Sequence, residues 1–304
     1  MKNLQPKRFF TCLLFLIACT YCGAQEWMTS LEVAKRLALL QDKMLLVMWE
    51  ESTEYDFPII YQRQGSIMRV TTDLFEDEQI NQMIWENFVP VVLFESNYSD
   101  LFKEIKDSRS NKYIERFQDD GIKIMDVNGN ILNTGYFNTE LFNFSNFVKR
   151  YGLNTSFLRG QLTNYIGKKN FNTTLALAYK YLDYAIFVSE AVRAEIVAMS
   201  TIYFDEAKAL LARENIENKA GYMQKFELIE FRKELTLDKP RRVLRQLKKM
   251  DTASIHPINE SLYAFLHYTA NMMLGDESKA AIWKSKVSLV DLKKAELIIN
   301  INRN

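Results

Sequence analysis

Cysteine is the first scarcity. The chain has 3 cysteines in 304 residues, and Cys12, Cys19 and Cys22 all lie near its start. From Glu26 to Asn304 there is none. That stretch forms no disulfide, offers no thiolate nucleophile and gives no cysteine to a metal. Histidine is nearly as rare. His256 and His267 are the only two, they do not fall on adjacent turns of one helix, and no cysteine accompanies them, which argues against a zinc site or a Ser-His-Asp triad. No G-x-x-x-x-G-K-[ST] or G-x-G-x-x-G run offers a cradle for nucleotide phosphates. No sign of charge dominates either: 39 Lys+Arg against 38 Asp+Glu leave +1. A nucleic-acid binder working through bulk charge is therefore excluded. There is one long apolar run, too few for a multi-span membrane protein. What is abundant is core material. With 48% hydrophobic and 13% aromatic residues, general disorder is excluded, and the length predicts two domains at about 150 residues each.

The start of the chain reads as a targeting segment. Lys2, Lys7 and Arg8 form a positive n-region, Phe9 to Cys22 an apolar h-region, and Gly23-Ala24-Gln25 supplies small residues for a cut after Ala24 or Gln25. Residues 1–25 are thus read as a signal peptide and the protein as exported and periplasmic. Two alternatives share the segment. One is an uncleaved anchor. The other rests on Leu16-Ile17-Ala18-Cys19, which resembles a bacterial lipobox in which Cys19 carries the lipid and attaches the mature chain to a membrane.

Residues 26–152 alternate between helical and strand patterns. Thr29-x-x-Glu32 has capping-box form and opens a helix carrying Leu31, Ala34, Leu37, Ala38 and Leu40. Met44 to Trp49 is a continuous apolar run of strand length, as expected for a strand buried on both faces. Asp77 to Trp85 reads as helix. Phe88 to Phe94 reads as the next buried strand, with Pro90 placed near its start. Leu101 to Phe117 reads as helix and loop. Ile122–Asp126 and Ile131–Tyr136 flank Val127-Asn128-Gly129-Asn130, and Asn-Gly between apolar runs predicts a hairpin. Leu141 to Tyr151 closes the domain as a helix. The expected layout is α/β, with a central sheet covered on both faces.

Three pieces of this stretch carry a resemblance: the helix, Lys43 and apolar strand ending in Trp49; Phe75-x-Asp77-x-x-Ile80 with Glu86-Asn87-Phe88-Val89-Pro90-Val91; and Asp126-x-Asn128-Gly129 with Gly135-Tyr136 and an aromatic-rich last helix. From about Trp27 to Gly152 the chain resembles the thioredoxin fold, in its bacterial exported thioredoxin-related branch. That family carries a Cys-x-x-Cys after the first of these strands, activated by a helix N-terminus. Here the segment is Glu50-Glu51-Ser52-Thr53-Glu54-Tyr55-Asp56-Phe57-Pro58, and Glu54 and Phe57 most nearly occupy the two cysteine positions. A carboxylate and a phenyl ring cannot exchange disulfides. The family's cis-proline before the hairpin is also missing, since the matching stretch is Gln118-Asp119-Asp120-Gly121. The resemblance implies the fold without the family's usual activity.

The carboxylates Glu50, Glu51, Glu54 and Asp56 raise two chemical readings, a hard cation or an acid/base pair. Their spacing matches no calcium loop, and an acidic helix N-terminus accounts for them. Asp126-x-Asn128-Gly129-Asn130 resembles part of a calcium loop but is accounted for by the hairpin. No metal site and no cofactor is expected.

Residues 153–304 change character. Hairpin signals vanish, and helical patterning runs through Leu175–Val188, Ser189–Arg213, Tyr222–Leu235, Pro240–Met250, Pro257–Leu274 and Glu277–Ile299. The expectation is an all-α domain of helical hairpins, repeat-like and tetratricopeptide-like in shape only, with an irregular bundle as the alternative. His256 is placed in a turn and His267 on a helix, partly buried. Lys239 to Lys249 forms a basic helix, read as a solvated face over a core stripe, with anionic lipid or an acidic partner as the alternative.

The functional expectation is a non-catalytic adaptor of the cell envelope that binds a protein or peptide and no nucleic acid. The alternatives are a thioredoxin-related enzyme, working with a partner's cysteines or by acid/base chemistry at Glu50, Glu51 and Glu54, and a structural protein anchored through a lipid on Cys19.

Overall fold

The computed structural model describes residues 26–56, 58–62, 67–71, 74–75, 77–135 and 142–303. The α/β part runs α1 (Leu31–Gln41), β1 (Met44–Trp49), β2 (Ile59–Tyr61), β3 (Arg69–Thr71), α2 (Glu78–Asn87), β4 (Phe88–Leu93), α3 (Glu95–Ile105), α4 (Asn111–Gln118), β5 (Lys123–Met125), β6 (Phe142–Asn143) and α5 (Phe144–Tyr151). Packed helices follow: α6 (Arg159–Gly167), α7 (Phe171–Tyr184), α8 (Glu190–Arg213), α9 (Lys219–Thr236), α10 (Pro240–Leu247), α11 (Glu260–Met273), α12 (Glu277–Lys284) and α13 (Leu289–Ile301). The expected change from α/β to all-helical is thus present. Helix α1 opens under Ser30 rather than Thr29, because it is the Ser30 hydroxyl that accepts from the Val33 N–H.

Strand β1 is buried along its whole length, as its unbroken apolar run predicts. It sits between β4, parallel in the register Met44↔Phe88, and β5, antiparallel in the register Leu45↔Met125. Single bridges from Met28 to Val91 and from Ile131 to Met125 extend this sheet at its two sides. Pro90 stands third in β4, inside the strand. Its carbonyl accepts from Met28 N, and the next bond on that side runs from Val92 N to Met28 O. The position without an N–H therefore faces the lone Met28 bridge, and the ladder to β1 loses nothing.

A second small sheet, ordered β3-β2-β6, has no counterpart in the sequence reading. It corrects the helix expected over residues 141–151. Phe142 and Asn143 pair with β2, Phe142 N bonds the Pro58 carbonyl, and the Asn143 side chain caps α5 by accepting from Asn146 N at 2.9 Å. Leu141 lies outside the described residues. The acidic segment is also corrected. It forms one 3-10 turn, Glu51–Thr53, and leads toward β2 rather than opening an α-helix. In the hairpin the second arm narrows to the bridge at Ile131. The Asn133 side chain takes over the strand's hydrogen bonding, accepting from Ile124 N at 2.8 Å and donating to the Ile122 carbonyl at 2.9 Å. Tyr136 lies outside the described residues.

Most helices of the second part match their apolar patterns, and Pro240 takes the first helical position. The stretch Glu277–Ile299, expected as one helix, is two. Val287 is buried between them, and Ser288 caps α13 by accepting from Asp291 N at 3.1 Å and donating to the Asp291 carboxylate at 2.8 Å. The basic helix buries Pro240, Val243 and Leu247 and leaves Arg241, Arg242, Arg245, Lys248 and Lys249 exposed, with Arg242 paired to Glu234 at 2.8 Å. That is the solvated face over a core stripe.

The buried side chains form two clusters. One runs from the central sheet across α6, α7 and α8 to Phe226 and Ile229 of α9, and the other joins Leu228 and Leu235 of α9 to α10, α11 and α13. Helix α9 is thus apolar on two faces. No helix of the described residues is long and apolar enough to cross a membrane. Replacing Ser288 by Ala removes the α13 cap, and urea unfolding is expected to show a loss of about 1 kcal/mol.

Candidate functional site

Three places bear on function, and the first is the end of β1. Glu50, Glu51, Glu54 and Asp56 are all exposed, and Glu54 only ends the 3-10 turn. Phe57 lies outside the described residues, as do Cys12, Cys19 and Cys22. No group of three potential metal-ligating side chains occurs among the described residues. The stretch 118–121 contains no cis peptide bond. It is gripped by two buried cations instead. Arg116 holds the Asp119 carboxylate at 2.6 Å and also bonds the Ile122 carbonyl. Lys123, fully buried on β5, bonds the carbonyls of Asp119 and Gly121 and sits 5.5 Å from the centroid of the Trp49 ring. Burial pushes the Lys123 ammonium down to about 8, with Asp119 opposing. Trp49, Phe117 and the buried Lys123 thus pack together at the end of β1.

The second place is the hairpin turn. Gly129 has φ +86°, a conformation that favours glycine, and its N–H bonds the Asp126 carbonyl at 2.9 Å. The Asp126 carboxylate, 1% exposed, does not face solvent as a cation ligand would. One oxygen accepts from the backbone N–H groups of Asn128 and Asn130, each at 2.9 Å. The other accepts from Tyr181 of α7 at 3.0 Å and, in a close contact, from Tyr203 of α8. Asn128 and Asn130 also donate to the Tyr203 oxygen, at 2.7 and 3.0 Å. Burial pushes the Asp126 carboxyl up against these four hydrogen bonds. Burial and the adjoining carboxylate hold both phenols well above their usual range. The turn is thereby docked into the helical part.

Further ties flank it. Glu195 of α8 accepts from Tyr151 at 3.0 Å and Arg150 at 3.1 Å, and Asp42, in left-handed conformation at the end of α1, accepts from Arg159 at 2.7 Å.

The third place lies beside this junction. A cleft of about 690 Å³ runs between the α/β part and helices α6 and α8. Its walls carry the cations Lys35, Arg109, Lys169 and Arg213 and the carboxylates Glu104, Asp205 and Glu206. Arg109 is fixed by a 2.9 Å bond to Asn130, so the docked turn also sets this wall. Glu206 accepts from Tyr165 at 2.7 Å and pairs closely with Lys169. Asp205 has no hydrogen-bond partner among the described residues, and burial pushes its carboxyl up. No histidine lines the cleft, and no hydroxyl or amine bonds Asp205 as a nucleophile would bond its base. Facing charges of both signs suit a ligand that also carries both, such as a peptide segment.

The histidines play other parts. His256 accepts from Ile258 N at 3.4 Å in a turn. His267 is buried in α11 and stacks on Trp283 at 4.1 Å, and burial lowers its imidazole to about 4. Sequence reasoning did not single out Arg109, Tyr165, Asp205 or Arg213, which come from the loop after α3, from α6 and, for the last two, from α8. The signal within reach was the polar Asp126–Asn130 turn, read only as a hairpin. No family model, no curated protein and no solved structure matches the chain.

Asp126→Ala strands several buried donors at about 1–3 kcal/mol each, so urea unfolding is expected to show a loss of roughly 3–5 kcal/mol, with a smaller loss for Tyr203→Phe. Lys123 adds a pH dependence. Its folded value, about 8, lies below the ordinary 10.5. Between those limits the unfolded chain holds the proton that the folded one has released, so stability rises with pH. Lys43 and Lys225, also lowered by burial, act with the same sign, and the raised tyrosines oppose it only at higher pH. In Lys123→Met the gain in urea midpoint between pH 7 and 9.5 is expected to shrink.

Proposed function

We propose that the chain is a non-catalytic, thioredoxin-like binding or adaptor protein of the bacterial cell envelope, exported to the periplasm, that holds a protein or peptide in the cleft between its two parts. The observation that carries this reading is the cleft itself, lined by charges of both signs and by no histidine, beside a junction set by the buried Asp126. The order of elements supports the thioredoxin-like assignment: a buried central strand, a parallel neighbour, an antiparallel hairpin strand and a closing aromatic helix. The absence of cysteine after residue 25 supports a non-redox role. The acid/base alternative has less in its favour, because Glu50, Glu51 and Glu54 stand in solvent outside the cleft. Attachment through a lipid on Cys19 belongs to the same envelope reading.

Residues 26–304 are expected to reduce insulin no faster than buffer. In envelope extracts, reversing two cleft charges together (Asp205→Arg with Arg213→Glu) should lower the amount of captured partner about tenfold, the effect of roughly 1.4 kcal/mol. Insulin reduction above the buffer rate, or capture indifferent to the reversal, overturns the proposal.

A further inference from the structure

A second cavity lies in the helical part, away from the cleft. It measures about 360 Å³ and is walled by α7, α9, α11 and α13. Two of its cations are already engaged. Arg232, only 4% exposed, pairs closely with Asp183, and Lys294 bonds the other oxygen of the same carboxylate at 3.1 Å. Burial pushes the Asp183 carboxyl up, but these two cations hold it below its usual range, so it is ionised and one negative charge serves both. Asp291, also on the wall, accepts from the Ser288 hydroxyl at the start of α13.

Lys225 is different. It is half-buried on the cavity wall, and burial alone lowers its ammonium, with no carboxylate acting against that shift. Its ammonium lies 5.3 Å from the centroid of the Tyr222 ring. The Tyr179 and Ser261 hydroxyls line the same space and make no hydrogen bond within the described residues. An unpaired ammonium and two idle hydroxyls thus share a cavity whose lining carries three cations against two carboxylates. Ile258, Leu262 and Phe265 give it an apolar side. The missing charge is one negative unit, and the volume lies at the low end for small-molecule sites, about 300–1,000 Å³.

We propose that this cavity binds a small organic carboxylate, its anionic end at Lys225 with Tyr179 and Ser261 as donors and its apolar body on Ile258, Leu262 and Phe265. A planar acceptor with two oxygens matches one ammonium and two hydroxyls. The shared chemistry is a carboxylate beside an apolar group, whether on a free acid or at the end of a peptide chain. The inference is independent of the interdomain cleft, because none of these residues lines it.

Calorimetric titration of the full chain tests it with 3-phenylpropionate and its neutral isostere 3-phenylpropionamide, and with N-acetyl-alanyl-phenylalanine as free acid and as C-terminal amide. Saturable binding of either acid, at least about tenfold tighter than its amide, supports the site, and which acid binds identifies the source. Lys225→Met is expected to weaken acid binding by at least about tenfold without lowering the melting temperature. Ser261→Ala, at the exposed mouth, should weaken it less and keeps the test valid if the lysine variant unfolds. Acid and amide binding alike, no saturable binding of either acid, or full affinity in a folded Lys225→Met or Ser261→Ala overturns the inference.

Discussion

The structure depends on one carboxylate placed where water cannot reach it. A buried charge or acid is costly unless every lone pair is met, and Asp126 is met by donors from two sources: backbone N–H groups of its own turn and phenols of α7 and α8. Neither half satisfies the group alone. The cost is offset only when the hairpin is seated between Tyr181 and Tyr203, so the docked arrangement of the two parts is the one in which this group is stable. The apolar packing agrees, since one buried cluster crosses from the central sheet to α9 without a break. The cleft is a consequence. Its Arg109 wall hangs on Asn130 of the same turn, and its Tyr165 wall stacks edge-on to Tyr203 at 5.5 Å.

The end of β1 is closed by packed aromatic rings and a buried lysine. Lys123 enters from β5 beneath Trp49, and Arg116 and Lys123 together bond the carbonyls of Asp119, Gly121 and Ile122. Aromatic rings and a buried ammonium fill this region. The acidic residues that follow are left in solvent. The surface with chemical variety lies at the junction of the two parts, where side chains from α1, α3, α6 and α8 converge. The helical part holds a polar cavity of its own because Asp183 has to serve both Arg232 and Lys294, which leaves Lys225 without a counter-charge.

Much of this organisation was legible from local pattern. An unbroken apolar run identified β1, Asn-Gly identified the hairpin turn, and helical spacing located α7, α8 and α9, because each depends on near neighbours in the chain. What failed was also systematic. Asn133 replaced a strand with side-chain bonds, Asn143 and Phe142 turned an expected helix start into a strand, and Ser288 split an expected helix. In each case a short polar side chain competed with the backbone for hydrogen bonds, and apolar periodicity does not register that competition.

The sequence by itself determined the class of each half, the lack of cysteine after residue 25, and the absence of any phosphate cradle or His/Cys metal cluster, since these are properties of composition and spacing. Only the tertiary structure decided what the polar groups do. Asp126 became a buried tie because Tyr181 and Tyr203 come from helices far along the chain, and the two clefts exist because charges from separate elements meet in partly dehydrated space. Electrostatic worth depends on distance and burial, and neither is written in the order of residues.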